Sequence, residues 1–159
     1  MPLEHYPTPK DLEDFWEAGK ELDAAYVLLA KSCGLSEPEY WSMVFVADGV
    51  ATQREICALL SLSRQTINSA FKLLVAKGLI QLEPLEQDQR SKRASLTPKG
   101  EQLLAERILP SEAAEADAWL SLTEEERQVL VRATRKFGSA LRQIATGREQ
   151  NGICPSEDL

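Results

Sequence analysis

The stretch Thr52–Ile108, TQREICALLSLSRQTINSAFKLLVAKGLIQLEPLEQDQRSKRASLTPKGEQLLAERI, decides the fold. It opens on Thr52-Gln53-Arg54-Glu55, a capping box in which the hydroxyl satisfies a free backbone N–H and the glutamate answers the cap's own N–H. Ile56, Leu59 and Leu60 follow at helical spacing. A short Ser-Leu-Ser turn leads to Ser63, which can cap a second helix from Arg64 to Lys77, with Ile67, Ala70, Phe71 and Leu74 on one face. Gly78 closes it. The period then changes from 3.6 to 2. Ile80 and Leu82 alternate with Gln81 and Glu83, and Ala94 and Leu96 alternate with Arg93 and Ser95 across a polar loop, 86–91, so the segment reads as a hairpin. Pro84 can donate no ladder hydrogen bond, which makes the hairpin an edge ribbon.

Working outward, Thr8-Pro9-Lys10-Asp11 reads as an N-cap, an N1 proline and an acid in the first turn. Leu12, Phe15, Trp16, Leu22, Tyr26 and Leu29 form the apolar side of that first helix, and Gly34 can end it in a left-handed conformation. Ser36-Glu37-Pro38-Glu39 is another capping box, ahead of Tyr40, Trp41, Val44 and Phe45, and Asp48-Gly49 ends its helix. Beyond the hairpin, Thr97-Pro98 is again a cap and N1 proline, followed by Leu103, Leu104, Ile108 and Leu109; Pro110 is expected to kink or end that helix. Thr123–Glu126 is the third capping box. The last helix carries Leu130, Ala133, Phe137, Leu141 and Ile144 in a near-heptad stripe, and residues 148–159 read as a loose polar tail.

Composition narrows the function. The chain has 159 residues, 43% apolar and 27% charged, which fits one ordinary globular domain with an appendage. No apolar run approaches the ~18 residues of a membrane span. The N-terminus lacks a secretory pattern, and the three cysteines, Cys33, Cys57 and Cys154, form no disulfide framework; both point to a reducing cytoplasmic setting with no membrane partner. His5 is the one histidine, which sets aside His-ligated zinc and Ser-His-Asp catalysis. No glycine-rich phosphate loop or nucleophile–base pair is present, so the chain reads as a binding protein without cofactor, not an enzyme. Net charge is −7, but residues 64–93 hold six cations and three acids, net +3, and the remainder carries −10. The chain reads as an acidic body with one basic segment, the electrostatic footprint of a DNA-binding face.

Three helices, a basic-tipped hairpin and long flanking helices make a mostly α fold with a small β-hairpin, a winged helix-turn-helix. Three pieces resemble the MarR family of bacterial transcriptional regulators. They are LSLSRQTINSAFKLLVAKGLI (60–80), the Asp-x-Arg of Asp88-Gln89-Arg90, and the Leu-Thr-x-x-Gly of Leu96–Gly100. The resemblance implies a homodimer in which N- and C-terminal helices of two chains intertwine. The domains are then an N-terminal dimerisation helix, 8–34; a winged helix-turn-helix, 36–97; C-terminal dimerisation helices, 98–147; and a flexible tail, 148–159. The long apolar stripes of the first and last helices independently call for a partner surface.

The resemblance also implies a ligand-responsive repressor on a pseudo-palindromic DNA operator. Helix 64–77 would read the major groove through Arg64, Gln65, Thr66, Asn68, Ser69 and Lys72; Arg can bond guanine and Gln or Asn can pair with adenine. No acid stands between 64 and 72. The wing, 86–93, would enter the minor groove with Asp88, Arg90, Lys92 and Arg93, Asp88 ordering the Arg90 guanidinium. Glu83 and Glu86 depart from the family's basic wing and support a second reading, a winged-helix dimer that acts as a protein-interaction module. Cys33 allows a third, a redox sensor of the same fold, against inert packing of a small apolar thiol; Cys57 reads as core. Family members bind small aromatic or phenolic effectors, and Trp16, Tyr26, Trp41 and Phe45 could line such a pocket.

Overall fold

Helix α1, Lys10–Ser32, begins one residue later than the cap pattern indicates. Pro9 occupies the cap position itself, with ψ 136°, and Thr8 lies outside the described residues. The computed structural model describes residues 9–50, 52–85 and 88–150; the side chains of 85, 88–91 and 148–150 fall outside that description. Cys33 and Gly34 close α1, Gly34 at φ 76°. The Ser36–Glu39 box starts α2, Glu37–Ala47, as expected. This short helix is buried nearly all round. Tyr40, Met43 and Val46 are enclosed, while Trp41, Val44 and Phe45 are half-buried around them, so the apolar face read from the sequence was only part of its contact surface.

Helix α3, Gln53–Leu60, follows the Thr52–Glu55 box, and Ser61 turns the chain in the left-handed region at φ 52°. Helix α4, Arg64–Ala76, is capped by Ser63, whose Oγ accepts from Thr66 N at 3.1 Å. Ile67, Ala70, Phe71 and Leu74 all face inward, and Ile56 meets them from α3. Leu59, read as part of the same apolar side, is instead 57% exposed. Strands β1, Ile80–Leu85, and β2, Asp88–Leu96, pair antiparallel with Ile80 opposite Leu96 and Glu83 opposite Arg93. The register slips between Pro84 and Leu85, where the proline has no N–H to continue the ladder. Thr52 adds an isolated antiparallel bridge to Arg93, which ties the start of α3 to the wing.

Thr97 and Pro98 open α5, Pro98–Leu103. Pro110 does not end the helical run. A π turn, Leu104–Ile108, widens the chain just before it, Leu109 N donating to Leu104 O, and α6 then runs Leu109–Leu120. The proline offers no N–H to the carbonyl four residues back and crowds it, and the wider turn absorbs both defects. Glu126 and Thr123 form their reciprocal box, and α7 spans Glu124–Gln150, three residues into the stretch read as tail; 151–159 lie outside the described residues. The chain divides into two units, Met1–Ser111 and Glu112–Leu159. The core of the first gathers Tyr40, Met43, Ile56, Ile67, Phe71, Leu74, Ile80 and Ile108. On α1, Phe15, Trp16, Leu22 and Leu28 are exposed; in the second unit, so are Leu130, Phe137, Leu141 and Ile144 of α7. No helix among the described residues is long and apolar enough to cross a membrane.

The exit from the wing depends on close approach. A Cβ at Gly100 would stand 2.0 Å from Leu79 O and 3.0 Å from Leu79 C, both backbone atoms with no room to yield. Thr97 Oγ1 meanwhile donates to Gly78 O at 2.6 Å and accepts from Gly100 N at 3.1 Å. Gly100→Ala is therefore expected to destabilise the protein by about 2–3 kcal/mol, read from chemical denaturation midpoints, whereas Gly19→Ala, with open space around it, should stabilise α1 slightly.

Candidate nucleic-acid interface

The apolar residues of α4 turn inward and fix which residues turn out. Arg64, Gln65, Asn68, Ser69 and Lys72 are exposed along one side of the helix. Thr66 is half-buried and its hydroxyl is engaged with Ser63 Oγ at 2.8 Å, so it serves the cap. The five exposed residues form an acid-free strip that starts at the N-terminal end of the helix, the end a recognition helix presents to base edges.

Two open grooves flank this strip. One lies between α3 and the start of α4 and is lined by Gln53, Arg54, Cys57, Arg64, Gln65 and Asn68. The other continues toward the wing past Asn68, Lys72 and Lys92, again with Gln53 and Arg54 on its wall. Gln53 and Arg54 are the residues sequence reading missed. They sit inside the capping box, where they looked like spacers. The signal was present, because the first two residues of a capped helix cannot both turn into the core while its box residues bind each other. Glu55 lines the second groove as well. Its carboxylate is committed to Thr52, accepting from the hydroxyl at 2.6 Å and the backbone N–H at 3.0 Å, which hold its pKa below the ordinary value.

The wing is joined to this surface through Arg93, which lies opposite Glu83 in the ladder and bridges to Thr52. Lys92 and Arg93 are exposed. Asp88 and Arg90 fall on the backbone of β2, and their side chains, with the pairing expected between them, lie outside the described residues; Glu86 does too.

Lys77 is a correction to the charge count that drew attention to this region. It does not face outward as part of a phosphate-binding strip. Its Nζ lies 2.7 Å from Glu39 Oε1 and donates to Gly34 O at 3.3 Å. Glu39 is almost fully enclosed, and its other oxygen accepts from Ser36 N at 2.8 Å and Ser36 Oγ at 2.7 Å. Burial pushes the Glu39 pKa up, but the bonds from Lys77 and from the Ser36 backbone and hydroxyl outweigh it, and the carboxyl ends below its ordinary value. The C-terminal end of α4 is thereby fastened to the N-terminal end of α2.

The cysteines separate. Cys33 is buried, its sulfur 3.3 Å from Ser111 Oγ and 3.6 Å from Arg107 O. Cys57 is half-buried: it packs against the core and also lines the groove between α3 and α4. Of the aromatic residues considered for an effector pocket, Tyr26 and Trp41 meet with tilted rings, 54° between their planes, at a centroid distance of 5.8 Å, Phe45 is half-buried against the core, and Trp16 is 49% exposed further up α1.

These features define a winged helix-turn-helix with an exposed, acid-free second helix. Residues 34–91 match the model of the MarR family. A MarR family regulator from Neisseria meningitidis superposes with a TM-score of 0.73 at 18% identity, over 87% of this chain and 98% of that one. The Mycobacterium tuberculosis transcriptional regulator MosR, solved in complex with DNA, gives 0.62 at 21% identity, over 84% and 96%. The PcaV transcriptional regulator of Streptomyces coelicolor, in complex with its natural ligand, gives 0.65 at 22%, over 78% and 91%. A search of curated proteins found no match. The fold is that of the MarR transcription regulators, and residues 34–91 are similar to that family in sequence. These neighbours in family and fold are regulators and not enzymes.

The Glu39–Lys77 pair carries a pH signature. A carboxyl whose folded pKa is depressed contributes stability that is complete above its ordinary value of 4.5 and is lost as pH falls through the lower folded value. Lys77→Met strands the enclosed carboxylate and should cost about 3 kcal/mol at neutral pH. The loss should shrink as the buffer is taken below pH 4.5, because a protonated Glu39 no longer needs the cation. Urea titrations of both proteins across that range measure it; a constant difference would show that the pair is not the cause.

Proposed function

We propose that the protein is a homodimeric, sequence-specific DNA-binding transcription regulator, a repressor released by a small aromatic or phenolic ligand. The observation that carries this reading is the exposed strip on α4, bordered by Gln53 and Arg54 of α3 and by Lys92 of the wing. Gln65 and Asn68 supply amide forks suited to adenine, Arg64 supplies a guanidinium suited to guanine, and Arg54, Lys72 and Lys92 stand where phosphates flank a groove. Arg90 and Asp88 at the wing tip reach the adjacent minor groove, with Arg93 at its base.

Support for the dimer comes from the uncovered apolar residues. Phe15, Trp16, Leu22 and Leu28 of α1 are too numerous and too exposed for a free monomer surface, and so, within its own unit, is the stripe Leu130, Phe137, Leu141 and Ile144. A two-fold dimer presents two α4 helices to a pseudo-palindromic operator. Support for an effector comes from Tyr26 of α1 and Trp41 of α2, whose rings meet at a tilt. The buried environment of Cys33 favours packing over redox sensing.

Two measurements test the reading. Binding to the DNA flanking the coding region, followed by fluorescence anisotropy, should weaken for Gln65→Ala or Asn68→Ala by roughly 1–3 kcal/mol at one base pair per half-site. Affinity for unrelated DNA should hardly change, because phosphates supply that term. Equal loss on every sequence would mean that α4 does not read bases. For the dimer, sedimentation at micromolar concentration should give twice the chain mass, and Phe137→Glu should halve it by burying an unpaired carboxylate in the seam. A monomer in the unaltered protein would refute that part.

A further inference from the structure

Residues 64–93 are not the most basic run in the chain. From Arg127 to Arg148 there are six cations, Arg127, Arg132, Arg135, Lys136, Arg142 and Arg148, and no acid. The single-segment view of the charge therefore needs correction: α7 carries a second basic segment, and a stronger one. Arg127 is accounted for, because its guanidinium donates to Leu122 O and caps the preceding turn. The others in mid-helix are not. Arg132, Arg135, Lys136 and Arg142 are exposed, and neither ion pair found among the described residues, Lys20–Glu17 or Lys77–Glu39, involves them.

Their placement on the helix is ordered. At 100° per residue, Arg132, Arg135 and Arg142 fall within an arc of about 80°, interleaved with Gln128, Ser139 and Thr146. Leu130, Phe137, Leu141 and Ile144 occupy the opposite side. A second copy that covers the apolar side leaves the arginine side in solvent. The helix dipole does not explain the pattern. It favours Glu124–Glu126 in the first turn, but its influence fades within a turn of each end, and the arginines at 132, 135 and 142 lie in the middle. Solvated helix faces ordinarily mix both signs, since mixed charges pair at three and four residues' spacing. An all-cationic, arginine-rich face forgoes those pairs. Arginine's planar fork matches phosphate oxygens bidentately, and neutral hydroxyls and amides beside it are further phosphate donors.

We propose that the arginine face of α7 is a second, sequence-independent binding surface for the phosphate backbone of duplex DNA, separate from α4. It rests on the dimer reading above only for the covering of the apolar stripe. From Arg132 to Arg142 the helix rises ~15 Å, about half of the ~34 Å turn of a duplex, so three guanidiniums can follow one strand's phosphates. Five of the run's six cations are arginine, and its apolar side is taken up by the seam, which favours a stiff phosphate backbone over a lipid surface into which an amphipathic helix would sink. The two faces belong to different units of the chain, so engagement of two duplexes at once is the readout that tells a second surface from an extension of the first.

The test uses the full chain. Arg132→Gln/Arg135→Gln/Arg142→Gln keeps helix-forming, uncharged polar residues at all three sites, and circular dichroism and sedimentation check that the variant stays folded and dimeric. Gln65→Ala/Asn68→Ala/Lys72→Ala serves as the parallel α4 variant. With a random-sequence duplex, the arginine variant should bind at least tenfold more weakly at low salt. Its slope of log affinity against log salt should fall by about 2–3 for each helix engaged. Its preference for the operator should remain. Energy transfer between two differently labelled duplexes should appear with the unaltered protein and vanish with the arginine variant. An unchanged salt slope together with no transfer in the unaltered protein overturns the proposal, as does loss of binding to phosphatidylserine vesicles with DNA binding intact. Loss of operator preference confined to the α4 variant supports the regulator reading whatever α7 does, so the two readings fail separately.

Discussion

One lysine holds α4 in place. Lys77 stands at the C-terminal cap of α4, and its ammonium group meets the Glu39 carboxylate and the Gly34 carbonyl. Its own carbonyl accepts from Lys99 Nζ at 2.7 Å. The end of α1, the start of α2, the end of α4 and the start of α5 therefore converge on one residue. Glu39 makes the arrangement obligatory, because an enclosed carboxylate without a cation is far costlier than either partner exposed. Hydrophobic contacts from Ile67, Phe71 and Leu74 glue α4 to the core, but such contacts tolerate sliding. The ion pair, anchored in turn by the Ser36 cap, fixes where along its axis the helix stops. The position of Gln65 and Asn68 on the exposed side of α4 depends on that stop.

The wing is fastened by a different principle. Gly78 leaves α4 at φ 70°, and the chain enters β1 at once. On the return strand Thr97 donates to Gly78 O, and Leu79 O accepts from Thr97 N at 3.0 Å. Gly100 then passes so close to Leu79 that no side chain fits. A hairpin whose two ends are locked against each other in this way can project far from the core and still start from a fixed place. Thr52, bridging to Arg93, adds a third point of attachment from the start of α3. Helix α4 and the base of the wing are thus fastened to the same frame, while residues 86–91 of the wing are all polar or charged.

Much of this was legible in the sequence because capping is local chemistry. The boxes at Ser36, Thr52 and Thr123 all form, Ser63 caps α4, and the change of period at Ile80 marks β1. What was not legible depends on distant partners. Lys77 counted as a free charge until Glu39, thirty-eight positions earlier, was seen beneath it. Leu59 fits the helical period of α3 yet faces outward, since an eight-residue helix buries little beyond Ile56. Pro110 broke a local rule without breaking the helix, because a π turn, one residue wider than the ordinary pattern, costs less than unpairing the run through Leu120. Gln53 and Arg54 were hidden in plain view by the role of their neighbours. The five α4 residues were the easiest part of the site, since their inward-facing partners are unmistakably apolar.

Charge was the most misleading global quantity. A chain of net −7 with an isoelectric point near 4.9 looks unsuited to DNA, yet the sum hides its arrangement. Between 10 and 23, α1 holds six acids against two lysines, whereas 127–148 of α7 holds six cations and no acid. Screening limits each charge to about 8–10 Å at physiological salt, so a phosphate responds mainly to the charges directly beneath it. The acidic excess then acts elsewhere. It opposes loose, undirected adhesion of the whole surface to a polyanion and leaves attraction only where arginine and lysine are gathered. On the proposed DNA-binding reading the net negative charge and the cationic strips work together, one restricting where DNA would settle and the other rewarding it there.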